Sequence, residues 1–173
     1  LLKGLPSDDI SAELYDITSN LCEEKGFLAY EVSNYAQAGS ESVHNLVYWR
    51  YGDYIGIGPG AHGRLTVDGK RYATETFLSP EEWLTKVDNQ GSGESFLSEL
   101  SQKQQAAEMA MMGLRLNEGI NFKRFENLSG SSFSEEKLSF LKSIQLIEQK
   151  EGNIIATFSG RKVLNSVLAE LLN

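Results

Sequence analysis

Ile10, Leu14, Ile17 and Leu21 recur at intervals of three and four residues, a spacing that lines one face of a helix. Ser7, directly after Pro6, offers the cap, and Gly26 offers a left-handed stop. Phe27-Leu-Ala-Tyr-Glu-Val32 then combines mixed alternation with good β formers and predicts a strand. Helix, glycine and strand in this order read as one slice of a parallel barrel or open sheet. Residues 54–57 predict a second short strand. After them, residues 64–67 and 70–73 flank Asp68-Gly69, whose residue types suit the positive φ that a two-residue hairpin turn requires.

From about residue 79 the pattern becomes helical. Ser79-Pro80-Glu81-Glu82 supplies a cap, a proline at the first helical position and a capping-box carboxylate. Residues 90–94 read as a loop. Ser101-x-x-Gln104 is a second capping box, opening a helix through Ala106, Met109, Met112 and Leu116, whose methionines suit adaptable core packing. Phe122 and Phe125 mark a short helix, and Ser134 caps another that carries Leu138, Leu141 and Ile144. Gly152-Asn153 turns one short strand into residues 153–157, and a last helix after Gly160 carries Val163, Leu164, Val167, Leu168 and Leu171. Helix, helix, turn, β-wing and helix outline a winged-helix-like unit from about residue 120. The expected division is therefore 1–76, an α/β unit, and 77–173, a mainly helical unit.

Composition narrows the function. A chain of 173 residues suits one domain or two small ones. With 16 Lys+Arg against 24 Asp+Glu, the net charge of −8 gives little attraction for phosphate backbones, so no nucleic-acid partner is expected. No apolar run approaches the ~18 residues of a transmembrane segment. Leu1–Gly4 lacks the features of a secretory signal, and the sequence reads as a piece of a longer protein. One cysteine, Cys22, excludes an internal disulfide and fits a reducing, cytoplasmic location. A single thiol also cannot hold an iron–sulfur cluster.

The chemistry concentrates in residues 44–63, HNLVYWRYGDYIGIGPGAHG, which contain both histidines. Gly56-Ile-Gly-Pro-Gly-Ala61 spells a G-x-G-x-x-A string, yet a hairpin follows where a dinucleotide site needs a helix N-terminus. The glycines then serve a sharp exit from a strand or close backbone approach to another ligand. His44, near Tyr48 and Trp49, has the residue types to ligate iron beside a flat apolar surface, although a single His next to Asn is, taken alone, more often a hydrogen-bonded loop residue. His62 is a weaker candidate. Residues 23–24 and 81–82 read as solvated carboxylate pairs, and no G-x-S-x-G elbow is present.

Tyr30-Glu-Val-Ser-Asn-Tyr-Ala36, His44-Asn-Leu-Val-Tyr-Trp49 and Asp53-Tyr-Ile-Gly-Ile-Gly-Pro-Gly-Ala-His62 resemble, in order and spacing, the radical-SAM haem chaperone family (HemW). That family is closely related to oxygen-independent coproporphyrinogen III oxidase. Met111-Met-Gly-Leu-Arg-Leu-Asn-Glu-Gly119 and Thr157-Phe-Ser-Gly160 extend the resemblance over essentially the whole chain. It implies an α/β remnant of a partial (β/α) TIM-like radical-SAM barrel, followed by a helical, winged-helix-like C-terminal domain. Members carry a C-x-x-x-C-x-x-C loop that holds a [4Fe–4S] cluster with S-adenosylmethionine, and this chain lacks those cysteines.

By the same resemblance, His44, Asn45, Tyr48 and Trp49 match the haem-binding motif, with His44 the candidate iron ligand. Tyr30, Glu31, Ser33 and Asn34 match the strand-end segment, and Gly56, Gly58, Gly60 and Ala61 the glycine segment of the barrel wall, both facing cofactor or substrate. Gly63 stands where many members have Ser, so no hydroxyl role carries over. The implied ligand is haem or a porphyrin, and the implied partner a haem-accepting protein. Haem binding and transfer is the expected role; oxidative decarboxylation of coproporphyrinogen III is the alternative.

Overall fold

The computed structural model describes residues 5–172, so the signal-peptide reading at residues 1–4 lies outside them. Helix α1, Asp8–Glu24, begins where the Ser7 hydroxyl accepts from the Ile10 amide, with Asp8 and Asp9 in the first turn where the helix dipole favours them. It ends at Lys25 and a left-handed Gly26. The predicted stripe forms, but Ile10, Leu14, Ile17 and Leu21 all remain about half exposed: the helix buries no residue.

The strand expected at residues 27–32 is shorter and differently paired. Strand β1, Leu28–Ala29, lies antiparallel to β2, Tyr35–Ala36, in the register Leu28↔Ala36 and Ala29↔Tyr35. Glu31 explains the reversal. Its carboxylate gathers the donors of Ser33 and Asn34 from within the turn, folding the chain back on itself. Among the described residues every strand pairing is antiparallel, so the parallel slice expected of residues 7–32 is not formed.

Helix α2, Val43–Trp49, is capped by Ser42, whose hydroxyl accepts from the Asn45 amide. The chain leaves it through Tyr51 at φ 55 and meets strand β3, His62–Val67, at a Tyr54↔Arg64 bridge. That bridge is all that forms of the strand predicted at residues 54–57. Strand β4, Lys70–Thr76, pairs with β3 through the expected turn, where Asp68 and Gly69 both take positive φ. Helix α3, Pro80–Gln90, has Ser79 as its cap, and left-handed Gly91 ends it. Strand β5, Glu94–Glu99, then returns to β4, completing a sheet of order β3-β4-β5. The sequence hid this strand: its polar ends and the preceding Gly91-Ser-Gly look like loop. A division at 76/77 would therefore cut through one sheet.

Helix α4, Gln102–Gly113, has the capping box read from Ser101 and Gln104, both halves of it made. It stops three residues earlier than expected, but Leu114 and Leu116 stay buried in the turn that follows. Strand β6, Ile120–Asn121, leads into α5, Phe122–Ser129, and α6, Glu135–Ser143. Strands β7, Ile147–Lys150, and β8, Asn153–Ala156, turn at Glu151-Gly152 and join β6 in the order β6-β8-β7. The last helical run is broken into α7, Phe158–Lys162, and α8, Leu164–Leu172. Leu114, Ile120, Leu138, Leu141, Ile154 and Val167 form the center of the core, and each such side chain contributes roughly 1.5–3 kcal/mol on burial.

One polar joint ties the sheet to this core. Glu108 on α4 accepts from Arg64 of β3, with Arg64 Nη2 at 2.8 Å, and from the Tyr51 hydroxyl at 3.0 Å. Arg71 of β4 lies 3.9 Å from the center of the Tyr51 ring and donates to Asp53 and to the Gly52 carbonyl. Replacing Glu108 by Ala leaves the half-buried Arg64 guanidinium and the Tyr51 hydroxyl without their acceptor. The expected loss is about 1–3 kcal/mol of unfolding free energy, read from urea unfolding; an unchanged midpoint refutes the joint.

Candidate functional site

Helix α2 carries the histidine motif. His44 and Tyr48 stand one turn apart, so their rings meet edge to face with centroids 4.7 Å apart, and the Tyr48 hydroxyl lies 2.6 Å from His44 Nε2. Tyr54 continues the ladder, its ring 4.4 Å from that of Tyr48. His44 is exposed beside an equally exposed Val43. Asn45, on the other side of the helix, donates to the Tyr30 hydroxyl at 3.3 Å. Trp49 ends the helix with the Arg115 guanidinium 4.5 Å from its ring center. Its buried Nε1 has no partner among the described residues.

Glu31 is the second focus. Its side chain is 0% exposed, and it accepts from the Ser33 amide at 2.7 Å, the Ser33 hydroxyl at 2.8 Å, Asn34 Nδ2 at 2.6 Å and Arg115 Nε at 2.9 Å. Burial acts to raise its pKa, but the hydrogen bonds from Ser33 and Asn34 and the charge of Arg115 outweigh it, and the carboxyl is held below its usual range. Glu31 is thus an ionised, fully engaged carboxylate that organises its loop, with no proton to donate at neutral pH.

The structure joins two of the three groups of candidate residues. Tyr30, Glu31, Ser33 and Asn34 reach α2 through Tyr30–Asn45 and through Glu31–Arg115–Trp49. The third group, Gly56, Gly58, Gly60 and Ala61, is tied instead to Thr76 of β4 and to Phe77 after it; only Tyr54, ahead of it in the chain, packs on Tyr48 of α2. Arg115 bridges the Glu31 loop and Trp49 of α2, and a lone arginine in an apolar run gives no local sign of that. Among the described residues no group of three His, Cys, Asp or Glu side chains is placed to hold a metal ion, and Cys22 is half-buried on α1.

Residues 100–163 match the family described as HemN C-terminal domain. Radical S-adenosyl methionine domain-containing protein 1, mitochondrial, of Danio rerio is 34% identical over 181 residues, covering 98% of this chain and 40% of that protein. Heme chaperone HemW of Bacillus subtilis (strain 168) is 33% identical over 171 residues, covering 97% of this chain and 44% of that protein. This chain is thus similar to proteins named for a radical S-adenosyl methionine domain and to proteins named as the haem chaperone HemW, over part of their length. It spans about two fifths of the length of these relatives. The coproporphyrinogen III oxidase HemN of Escherichia coli, described as a radical SAM enzyme, shares the fold at a TM-score of 0.70 and 17% identity, over 99% of this chain and 43% of HemN.

Of the two readings of the glycine segment, the sharp exit from a strand has a backbone explanation. A Cβ on Gly56 would sit 2.5 Å from the His62 carbonyl oxygen, so the close approach there is made by the chain's own β3. Gly58 and Gly60 take φ of 99 and 69, and the Thr76 hydroxyl closes the corner by donating to the Gly58 carbonyl and accepting from the Ala61 amide. His62 faces Glu75 across the sheet at 3.6 Å. At Gly63 a Cβ would meet the Thr74 hydroxyl at 2.4 Å, so glycine here answers to its neighbour.

Because folding lowers the pKa of Glu31, its stabilisation is full above the unfolded carboxyl range, near ~4.3, and is lost as pH falls through the lower folded value. Glu31→Gln, whose amide brings two donors into a ring of donors, is expected to cost about 1.5–3 kcal/mol at pH 7 and to flatten the loss between pH 5 and 3. Urea midpoints across that range decide it: parallel curves for the two proteins would remove Glu31 from the role.

Proposed function

We propose that this chain is part of a haem-binding and haem-trafficking protein of the HemW type, with His44 as an axial ligand. The observation that carries the reading is the exposed imidazole of His44, braced edge-on by Tyr48 at the head of α2. Imidazole is a common protein ligand for haem iron, and the edge-to-face rings of Tyr48 and Tyr54 put aromatic, apolar atoms beside it. When bound, haem supplies an iron that takes up an imidazole nitrogen. His44 can offer Nε2 by releasing the Tyr48 hydroxyl, while Asn45 and Trp49 hold α2 to the Glu31 loop and limit its movement. The name of the Bacillus subtilis relative supports the same reading.

The other expectations belong to this proposal. Residues 1–76 would end a radical-SAM barrel, and the unit from about 120 would be a winged-helix-like accessory domain that closes the pocket or meets a haem-accepting protein. A [4Fe–4S] cluster would need thiolates beyond the single Cys22. S-adenosylmethionine or substrate would lie toward Tyr30–Asn34 and the glycine corner. A cytoplasmic location is proposed on the same basis; among the described residues no helix is long and apolar enough to cross a membrane.

Haemin titration followed at the Soret band tests the reading. The protein is expected to give a saturable shift at one equivalent. His44→Ala should weaken binding at least tenfold, about 1.4 kcal/mol, and change the spectrum. Tyr48→Phe, which frees Nε2, should keep the ligand-field signature. Identical spectra for the parent and His44→Ala would exclude His44 as ligand. Decarboxylation of coproporphyrinogen III that depends on S-adenosylmethionine would favour the oxidase.

A further inference from the structure

A cleft of about 820 Å³ opens between α1 and the α7–α8 pair, within the ~300–1,000 Å³ usual for small-molecule sites. Its apolar wall is built by Val32, Leu146, Val163 and Leu164, with the Tyr15 ring beside Phe158. Arg115, Arg161 and Lys162 also line it. Lys162 is paired with Asp16, and Arg115 is committed to Glu31. Arg161 is different. One end donates to the Asn117 side chain; that side chain donates to the Ala29 carbonyl and the Asn117 backbone amide to the Tyr30 carbonyl, so the guanidinium is held in place. Its buried Nε has no acceptor among the described residues, and neither has the buried hydroxyl of Tyr15 in the same cleft.

Buried donors are almost always paired, and two of them in a cleft beside a fixed positive charge call for a negatively charged oxygen. Asp8 and Asp9 stand at the N-terminal end of α1 and also face the cleft. Their charge opposes a small free anion, so the acid has to arrive on an apolar body that the Val32, Leu146 and Leu164 wall takes up. We propose that this cleft is a carboxylate subsite that receives an acidic side chain of a porphyrin through Arg161 and the Tyr15 hydroxyl. The proposal rests on the tetrapyrrole reading given above. It adds a second point of attachment, connected to α2 through Arg115 and Trp49.

Metal-free mesoporphyrin and its dimethyl ester, titrated by fluorescence into the protein and its variants, separate the two claims. Mesoporphyrin should bind at least tenfold more tightly than the ester. Tyr15→Phe removes a hydroxyl that has no close hydrogen-bond partner among the described residues, Ser19 lying near it but bonding the Tyr35 hydroxyl, so it should leave the melting temperature nearly unchanged while reducing the acid-over-ester preference severalfold. Arg161→Gln should abolish that preference, and Arg161→Lys should restore part of it. His44→Ala, which acts on the iron, should leave it intact. Binding of acid and ester with equal affinity, or a preference unchanged in both Tyr15→Phe and Arg161→Gln, overturns the subsite while leaving haem binding standing. If neither mesoporphyrin nor haemin binds, the porphyrin reading fails and the subsite with it.

Discussion

The bond between Glu31 and Arg115 is the constraint on which the candidate site depends. A carboxylate with no solvent exposure persists as an ion only when its lone pairs are occupied, and here Ser33, Asn34 and Arg115 occupy them. Meeting that demand reverses the chain between β1 and β2. It also fixes the guanidinium that lies on Trp49, and with it the end of α2. Glu31 and Arg115, 84 positions apart in the chain, are thus brought together by a charged contact. The position of His44 follows from this indirectly, through the helix it shares with Trp49.

A second charged joint works in parallel. Arg64, Glu108 and Tyr51 bind the β3-β4-β5 sheet to α4, while Arg71 supports Tyr51 and Asp53 from beneath. Tyr51 takes a left-handed conformation, a cost that its hydrogen bond and cation–π contact offset. The two joints attach α2 at both of its neighbours, the loop before it and the sheet after it. Held at both ends, α2 keeps its exposed His44 in one orientation.

Polar and apolar surfaces are unevenly shared. The helical unit buries its leucines and isoleucines around Leu114, Leu138 and Ile154, whereas Ile55, Ile57 and Leu78 on the glycine corner and the stripe of α1 stay open. The glycines of that corner are set by backbone geometry: Gly56 by the passage of β3, and Gly58 by its positive φ. Their residue type alone therefore carries no evidence of a ligand.

The helix caps at Ser7, Ser79, Ser101 and Ser134 and the Asp68-Gly69 hairpin were legible in the sequence, because each depends on residues a few positions apart. The family resemblance was equally legible, since its motifs are local strings. Strand β5 was not: a half-polar segment becomes a strand only when β4 offers it an edge. The antiparallel return of β1 was hidden for the same reason, because the residue that causes it, Glu31, reads locally as one more strand position. Arg115 and Arg161 acquire meaning only from groups far along the chain, Glu31 and Trp49 for one, Asn117 and Tyr15 for the other. Sequence by itself determined what short-range hydrogen bonds and periodicity can specify; tertiary structure decided which charges face each other, because electrostatic pairing acts through space and leaves no period in the chain.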